Sequence, residues 1–234
     1  MTPDDKIPDY KILVRGNSLR LKDDFLGIAN VTLVRSAEGP ILFDTGGYVS
    51  RLGLIKRLKE EGLEPGDIKL LFLSHLHFDH CHNVDLFPRA KVLVSKSEWD
   101  YALKPHPKDL FMPWGIHAQL EKHDLELIDG EGTLDNRVSY YPVPGHTPGC
   151  YALEIDTERV GRVVVAGDSI KYAKEVVTKR CDMAFDTIER GTASIAKILA
   201  RADRIIPGHF PEMIRQPDGA FSWDEPAPFE LYVR

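Results

Sequence analysis

Apolar positions change period along the chain, and the changes mark its elements. Runs rich in Val, Ile, Leu and Phe at 11–14, 30–34 and 41–43 predict strands, with Glu38-Gly39-Pro40 as a turn ahead of the third. From Ser50 to Glu61, Leu52, Ile55 and Leu58 recur every three positions beside Leu54. This predicts an amphipathic helix with Ser50 as N-cap and Gly62 as its stop. Strands at 68–73 and 91–94 follow, then a short helix opened by Ser97 and Glu98. In 104–124 the rhythm breaks, because Pro105, Pro107 and Pro113 exclude one regular element throughout; the segment reads as a loop or lid. Phe111, Met112 and Trp114 within it suit either an apolar wall over a substrate or packing in the core or a dimer.

The second half repeats the alternation, with strands predicted near 138–141, 151–155 and 160–166, a helix at about 188–200 and a strand at 204–206. The last twenty or so residues, with Trp223, Pro226 and Pro228, read as a covering tail with room for one more strand. Strands alternating with helices over 234 residues, without repeat or linker, predict a single α/β domain spanning 1–234.

Composition adds exclusions. With 43% hydrophobic and 28% charged residues the chain is ordinary for a globular protein. A net charge of −6 disfavours a broad nucleic-acid or membrane-binding face and leaves a local basic patch open. No apolar run approaches the roughly eighteen residues of a membrane span. Met1-Thr2-Pro3-Asp4-Asp5-Lys6 lacks the apolar stretch of a signal peptide, so a cytoplasmic protein is expected. Cys81, Cys150 and Cys181 are too few and too scattered for a disulfide framework, and reduced thiols are the expectation.

The histidines carry the chemistry. Of nine, His75, His77, His80 and His82 fall within eight residues. His75-Leu76-His77-Phe78-Asp79-His80 directly follows an apolar strand, and burying so many donors without a partner costs several kcal/mol. A metal cation supplies the partner, and imidazole with carboxylate favours zinc or iron. Pro144-Gly145-His146-Thr147-Pro148-Gly149, Gly167-Asp168 and Pro207-Gly208-His209 each add a donor just past a predicted strand. Ligand sites of α/β folds gather at such strand ends, and the glycines let backbones close on a crowded site.

His75, His77, Asp79 and His80, then His146, Asp168 and His209 after gaps of 66, 22 and 41, resemble the metal-ligand set of the metallo-β-lactamase-fold hydrolases, among them lactonase and glyoxalase II-like members. Phe43-Asp44-Thr45-Gly46-Gly47 is similar to that family's early Asp-Thr-Gly turn. The resemblance implies a four-layer αββα sandwich with the active site at one edge between the sheets. It implies one metal on His75, His77 and His146, a second on Asp79, His80 and His209, and Asp168 bridging them. Asp44 would orient ligands. The ions implied are two divalent metals, zinc foremost, with iron or manganese as alternatives. A hydroxide bridging them would attack a small-molecule ester or lactone, with Asp79 or Asp168 taking the proton.

Lactonases of this superfamily place a Tyr three residues after the bridging Asp, whereas here Lys171 stands there and Tyr172 follows. Tyr172 as the oxyanion helper and Lys171 as an anchor for a substrate carboxylate both stay open. Leu86-Phe87-Pro88-Arg89-Ala90 resembles a stretch in animal metallo-β-lactamase domain-containing proteins, which keeps a phosphodiesterase, including an RNA-related one, as the runner-up beside a thioesterase. A mononuclear iron dioxygenase and a non-catalytic binding module are the minor alternatives. The flavodiiron branch is disfavoured by His77, where it uses Glu. The expected partner is a small molecule, with no membrane, nucleic acid disfavoured and a homodimer compatible. His82 is expected at the surface or behind the ligands, and His106, His117 and His123 are expected exposed. Cys81 and Cys150 are read as small buried hydrophobes.

Overall fold

Among the described residues, thirteen strands and six α-helices follow one another in an order that keeps the two halves apart. The first half holds β1 (Tyr10–Val14), β2 (Val31–Ser36), β3 (Gly39–Phe43), α1 (Arg51–Glu60), β4 (Leu70–Phe72), α2 (Phe78–Cys81), β5 (Lys91–Ser95), α3 (Lys96–Leu103), α4 (Ile116–Leu120) and β6 (Asp124–Ile128). The second holds β7 (Gly132–Thr133), β8 (Val138–Pro142), β9 (Tyr151–Thr157), β10 (Gly161–Gly167), α5 (Ala173–Thr178), α6 (Ile188–Arg201), β11 (Arg204–Pro207), β12 (Met213–Arg215) and β13 (Phe221–Trp223). This computed structural model describes residues 9–224; the first six residues, Pro226 and Pro228, on which sequence expectations were placed, lie outside the described residues.

Each half forms one sheet. The first runs β1-β2-β3-β4-β5-β6 and the second β13-β12-β11-β10-β9-β8-β7. Pairing is parallel from β3 to β6 and between β10 and β11, and antiparallel elsewhere. Strand geometry sends successive side chains to opposite faces, so strands apolar on both faces bury two layers at once. Ile41 and Phe43 of β3, Phe72 of β4 and Leu93 of β5 meet Leu153, Val163, Val165 and Ile206 between the sheets. Their neighbours Leu42, Leu71, Val92 and Val94 face outward onto Leu54 and Leu58 of α1 and Ile116 and Leu120 of α4. Across the molecule Ala152, Val164 and Ile205 pack on Ile195 and Ile198 of α6. Three apolar layers between four layers of structure make the αββα sandwich the resemblance implied. Among the described residues no helix is long and apolar enough to cross a membrane.

Several local expectations are corrected. Helix α1 buries Leu54 and Leu58, one turn apart, while Leu52 is 82% exposed; the inward stripe follows the i, i+4 spacing and not the three-residue one. Ser50 sits at the N-cap without a side-chain capping bond, its Oγ donating to the Gly47 carbonyl at 2.9 Å. Helix α3 starts earlier than expected, with Ser95 as the cap, Oγ accepting from the Glu98 amide at 3.0 Å. The 104–124 segment is not all loop, since it holds α4 and ends at the start of β6. Strands β6, β7 and β12 and helix α5 carry no clear apolar period, and neighbours decide them: β6 is exposed along much of its length and is defined by parallel pairing to β5.

Candidate metal centre

All seven predicted donors stand at one edge of the sandwich, just past strand ends. His75 follows β4, His77 caps α2, and Asp79 and His80 lie in its four residues. His146 follows β8, Asp168 follows β10 and His209 follows β11. The two sheets are stitched together here. The Tyr151 amide donates to the Ser74 carbonyl at 3.0 Å, and Asn30 Nδ2 donates to the Pro207 carbonyl at 2.6 Å.

Donor atoms converge in three overlapping groups, His75–His77–His146, His75–His80–Asp168 and Asp79–His80–His209, each within 4.8 Å. Asp168 lies between the outer two. Its Oδ2 is 3.4 Å from His146 Nε2, while its Oδ1 is 3.3 Å from His80 Nε2 and 3.3 Å from His209 Nε2. Asp79 Oδ2 is 3.3 Å from His209 Nε2, and His77 Nδ1 is 3.0 Å from His146 Nε2. All seven residues are buried. The inner atoms His75 Nε2, His80 Nε2 and Asp168 Oδ1 make no hydrogen bond. Buried polar atoms left so are costly, and a pair of cations is the partner this donor set suits. The residues therefore fit two metal ions.

Behind four of the five donor rings a hydrogen bond turns the imidazole the right way; His146 Nδ1 has none. Asp44 Oδ2 accepts from His80 Nδ1 at 2.7 Å and from Ser74 Oγ at 2.8 Å. With its hydrogen committed, Ser74 Oγ accepts from His75 Nδ1 at 2.9 Å, so Asp44 orients both rings as expected and leaves each Nε2 facing inward. His209 Nδ1 donates to the Ile28 carbonyl at 3.0 Å. His77 is the reverse case: Nε2 donates to Asp109 Oδ2 at 3.0 Å, leaving Nδ1 for a metal.

Charge in the site is set by burial against neighbours. Burial and the surrounding imidazoles push His75 well below the ordinary histidine range. Burial likewise pushes His146 down, against the pull of Asp168. Both are thereby neutral, the form that ligates. Burial opposes charge on His80 and His209 as well, but Asp168 and Asp79 outweigh it and raise both. For Asp109, burial works upward, while His77, Tyr101 and the Phe111 amide outweigh it and hold the carboxyl down at about 2.

Among the buried carboxylates outside the donor motifs, two that hold the donor loops were not legible in the sequence. Asp109 is one. Glu98 is the other: Oε1 accepts from the Leu76 amide at 3.0 Å, and Oε2 accepts from Thr147 Oγ1 at 2.6 Å and the Gly149 amide at 3.1 Å. It thus clamps the His75–His80 loop to the His146 loop. A helix start is the only signal the sequence offers for Glu98.

A cavity of about 580 Å³ opens over the donors. Phe78, Phe111 and Met183 line it with the hairpin bridged at Asn17–Ile28 and Arg20–Phe25, an element without an apolar period in the sequence. Tyr172 stands in the wall, its hydroxyl donating to Asp182. Burial and then Asp182 push its ionisation up, so the phenol keeps its proton.

Lys171 is not a free anchor. It is 5% exposed, and its Nζ donates to Glu175 Oε1 at 2.7 Å. Burial opposes its charge, but Glu175 and Asp168 outweigh that and hold the ammonium above the ordinary lysine range. Lys171→Ala would leave Glu175 buried and unpaired, so the expected result is a loss of about 3–5 kcal/mol in denaturant unfolding. An unchanged unfolding midpoint would show that the pair carries no weight.

Other expectations divide. Phe111 lines the cavity and Met112 packs on the first-half core, but Trp114 is 99% exposed and is neither wall nor core. His106 is exposed as expected, whereas His117 is half-buried and donates from Nε2 to the Trp99 carbonyl at 2.9 Å. His123 is also half-buried. His82 stacks on Tyr48 at 4.8 Å and belongs to none of the donor groups. The three cysteines are free and buried.

The comparisons with known proteins agree with this geometry. The chain matches the Metallo-beta-lactamase superfamily over residues 24–209. It is 32% identical over 197 residues to Metallo-beta-lactamase domain-containing protein 1 of Rattus norvegicus, covering 84% of this chain and 71% of that protein. It is 30% identical over 168 residues to an N-acyl homoserine lactonase of Bacillus thuringiensis, covering 61% of this chain and 64% of the lactonase. AidC, a dizinc quorum-quenching lactonase solved with a product, superposes with a TM-score of 0.67 at 26% identity over 89% of this chain and 83% of that one. A mutant of B. thuringiensis AiiA with N-decanoyl-L-homoserine at its active site shares the fold, with a TM-score of 0.68 at 23% identity over 86% and 92% of the two chains. Fold, donor set and extended match together establish that the chain belongs to the metallo-beta-lactamase superfamily of metal-dependent hydrolases.

Proposed function

We propose that this chain hydrolyses a small-molecule ester or lactone in the cytoplasm with two zinc ions held by its own residues. One observation carries the reading: the two oxygens of buried Asp168 face different donor groups in the lining of the cavity. His75, His77 and His146 would hold one ion, Asp79, His80 and His209 the other, and Asp168 both. When bound, such a pair polarises a carbonyl oxygen and lowers the pKa of a shared water to near neutrality.

The protein's own groups do the rest. Asp79 or Asp168, both lining the cavity, would take up the proton released on attack and pass it to the leaving oxygen. Tyr172, whose hydroxyl donates to Asp182, would turn that one hydrogen to the oxygen that gains charge. Phe111, Phe78 and Met183 exclude water and give an apolar part of the substrate a surface. The carbonyl reading is supported by the lactonase relatives and by the dizinc neighbour.

Metal analysis of the purified protein, run with a panel of lactones, esters, thioesters and phosphodiesters, tests this. Two zinc equivalents with turnover of a lactone or ester is the expected result. Turnover of a phosphodiester alone, or one iron with consumption of oxygen, would replace the reading, and activity that persists in metal-free protein would end it.

A further inference from the structure

The donor His77 is tied to the 104–115 segment through a residue that the hydrolytic reading does not use. Asp109 is buried although its neighbours Lys108 and Leu110 are exposed. Its Oδ2 accepts from His77 Nε2 at 3.0 Å and from Tyr101 Oη at 2.7 Å, and its Oδ1 accepts from the Phe111 amide at 3.0 Å. One carboxylate thus joins a metal donor, the end of α3 and the segment's own backbone. A second tie runs beside it, from the Phe78 amide in the donor motif to the Phe111 carbonyl at 3.0 Å. Phe111 then lies against the His77 ring at 5.6 Å and lines the cavity.

Little else holds this part of the chain. Leu110 and Trp114 lie in solvent, so the apolar side chains that anchor the segment are the half-buried Pro105, Phe111, Met112 and Pro113. The ring of His77 faces two demands at once: Nδ1 must be a lone pair for a metal, and only a hydrogen on Nε2 lets Asp109 accept. The same tautomer satisfies both. Fixing the ring from either side therefore favours the other, and such coupling is reciprocal in free energy.

We propose that Asp109 is a positioning residue that makes the 104–115 segment part of the His75–His77–His146 metal site, so that metal binding orders the segment and the segment strengthens metal binding. The inference rests on the two-metal reading of the site but not on any substrate. It places the wall of the substrate cavity under control of metal occupancy at one of the two positions.

The test compares apo and zinc-loaded protein. In wild type, zinc should slow hydrogen exchange at the amides of 105–115. In Asp109→Asn, that zinc-dependent protection should be lost, and competition with a chelator should show one of the two zinc ions bound about 10–100-fold more weakly. The cobalt-loaded variant should lose the visible absorption of one site only. Tyr101→Phe, which removes a single donor to Asp109, should shift zinc affinity the same way by less and covers the case in which Asp109→Asn does not fold. Asp44→Asn, acting behind His75 and His80, should weaken zinc while leaving the protection of 105–115 to zinc that still binds. Equal exchange at 105–115 with and without zinc in wild type overturns the proposal, as do wild-type zinc affinities in both Asp109→Asn and Tyr101→Phe. Failure of the panel with two zinc ions bound would refute the hydrolytic reading alone.

Discussion

Stripping the protein with a chelator should abolish hydrolysis, and Asp168→Ala should lower kcat/KM on the order of 10³-fold even when zinc is restored. Chelation removes the polarising charge altogether. Asp168→Ala removes the only residue whose oxygens stand 3.3–3.4 Å from histidines of both groups. Five imidazoles and Asp79 are then left to hold two dications without a shared anion, and the ions repel across the gap. Metal content should fall from two equivalents to one or less. Asp168→Asn separates charge from shape: it preserves volume, and it should lose nearly as much. A variant that keeps both metals and the wild-type rate would remove Asp168 from the bridging position.

Adding one methyl group at Gly208 should do almost the same damage as deleting that carboxylate. A Cβ there would lie 1.9 Å from Asp168 Oδ1 and 3.1 Å from the Gly167 carbonyl carbon. Backbone retreat is blocked, because the Gly208 amide donates to the Ile170 carbonyl at 2.9 Å and its carbonyl accepts from the Asn30 amide at 2.7 Å. Asp168 has to move instead. Gly208→Ala should therefore lose metal and drop activity by about 10²-fold or more, since a displacement of about 1 Å at a reacting centre costs on that order. Gly53→Ala is the control: nothing lies within 4 Å of its added methyl on α1, and a helix-interior alanine should stabilise by about 0.5–1 kcal/mol. Zinc content and unfolding curves of the two variants read the difference. Full zinc content in Gly208→Ala would show that the loop yields where the hydrogen bonds say it does not.

The donors were legible because their chemistry is unusual wherever it occurs. Four ligating side chains in the six residues from His75 to His80, behind a strand too apolar to end at the surface, leave few arrangements besides a cation. Asp44 came instead from the resemblance of its turn to the family's Asp-Thr-Gly turn, and its carboxylate accepts from His80. Neither route could reach Asp109 or Glu98. A lone acidic residue among prolines and lysines, or in the first turn of a helix, reads as a solvated charge, because residue type alone does not report burial. The pairing of Lys171 was equally out of reach: near Asp168 it reads as an available cation, and only the fold of α5 brings Glu175 back onto it where it lines the cavity.

Strand alternation, the places where the chain turns and the identity of the metal donors were determined by the sequence alone, since each depends on neighbours a few positions away. Tertiary structure decided what depends on distant neighbours. It put the edge strand β6 and the short inner strand β12 in register with partners, and it closed a hairpin at 17–28 over the site. It chose Nδ1 of His77 for the centre by placing Asp109 behind Nε2. The division has one physical cause: a side chain's chemistry is carried by the residue, while its burial, its tautomer and its partner are properties of whatever the folded chain brings against it.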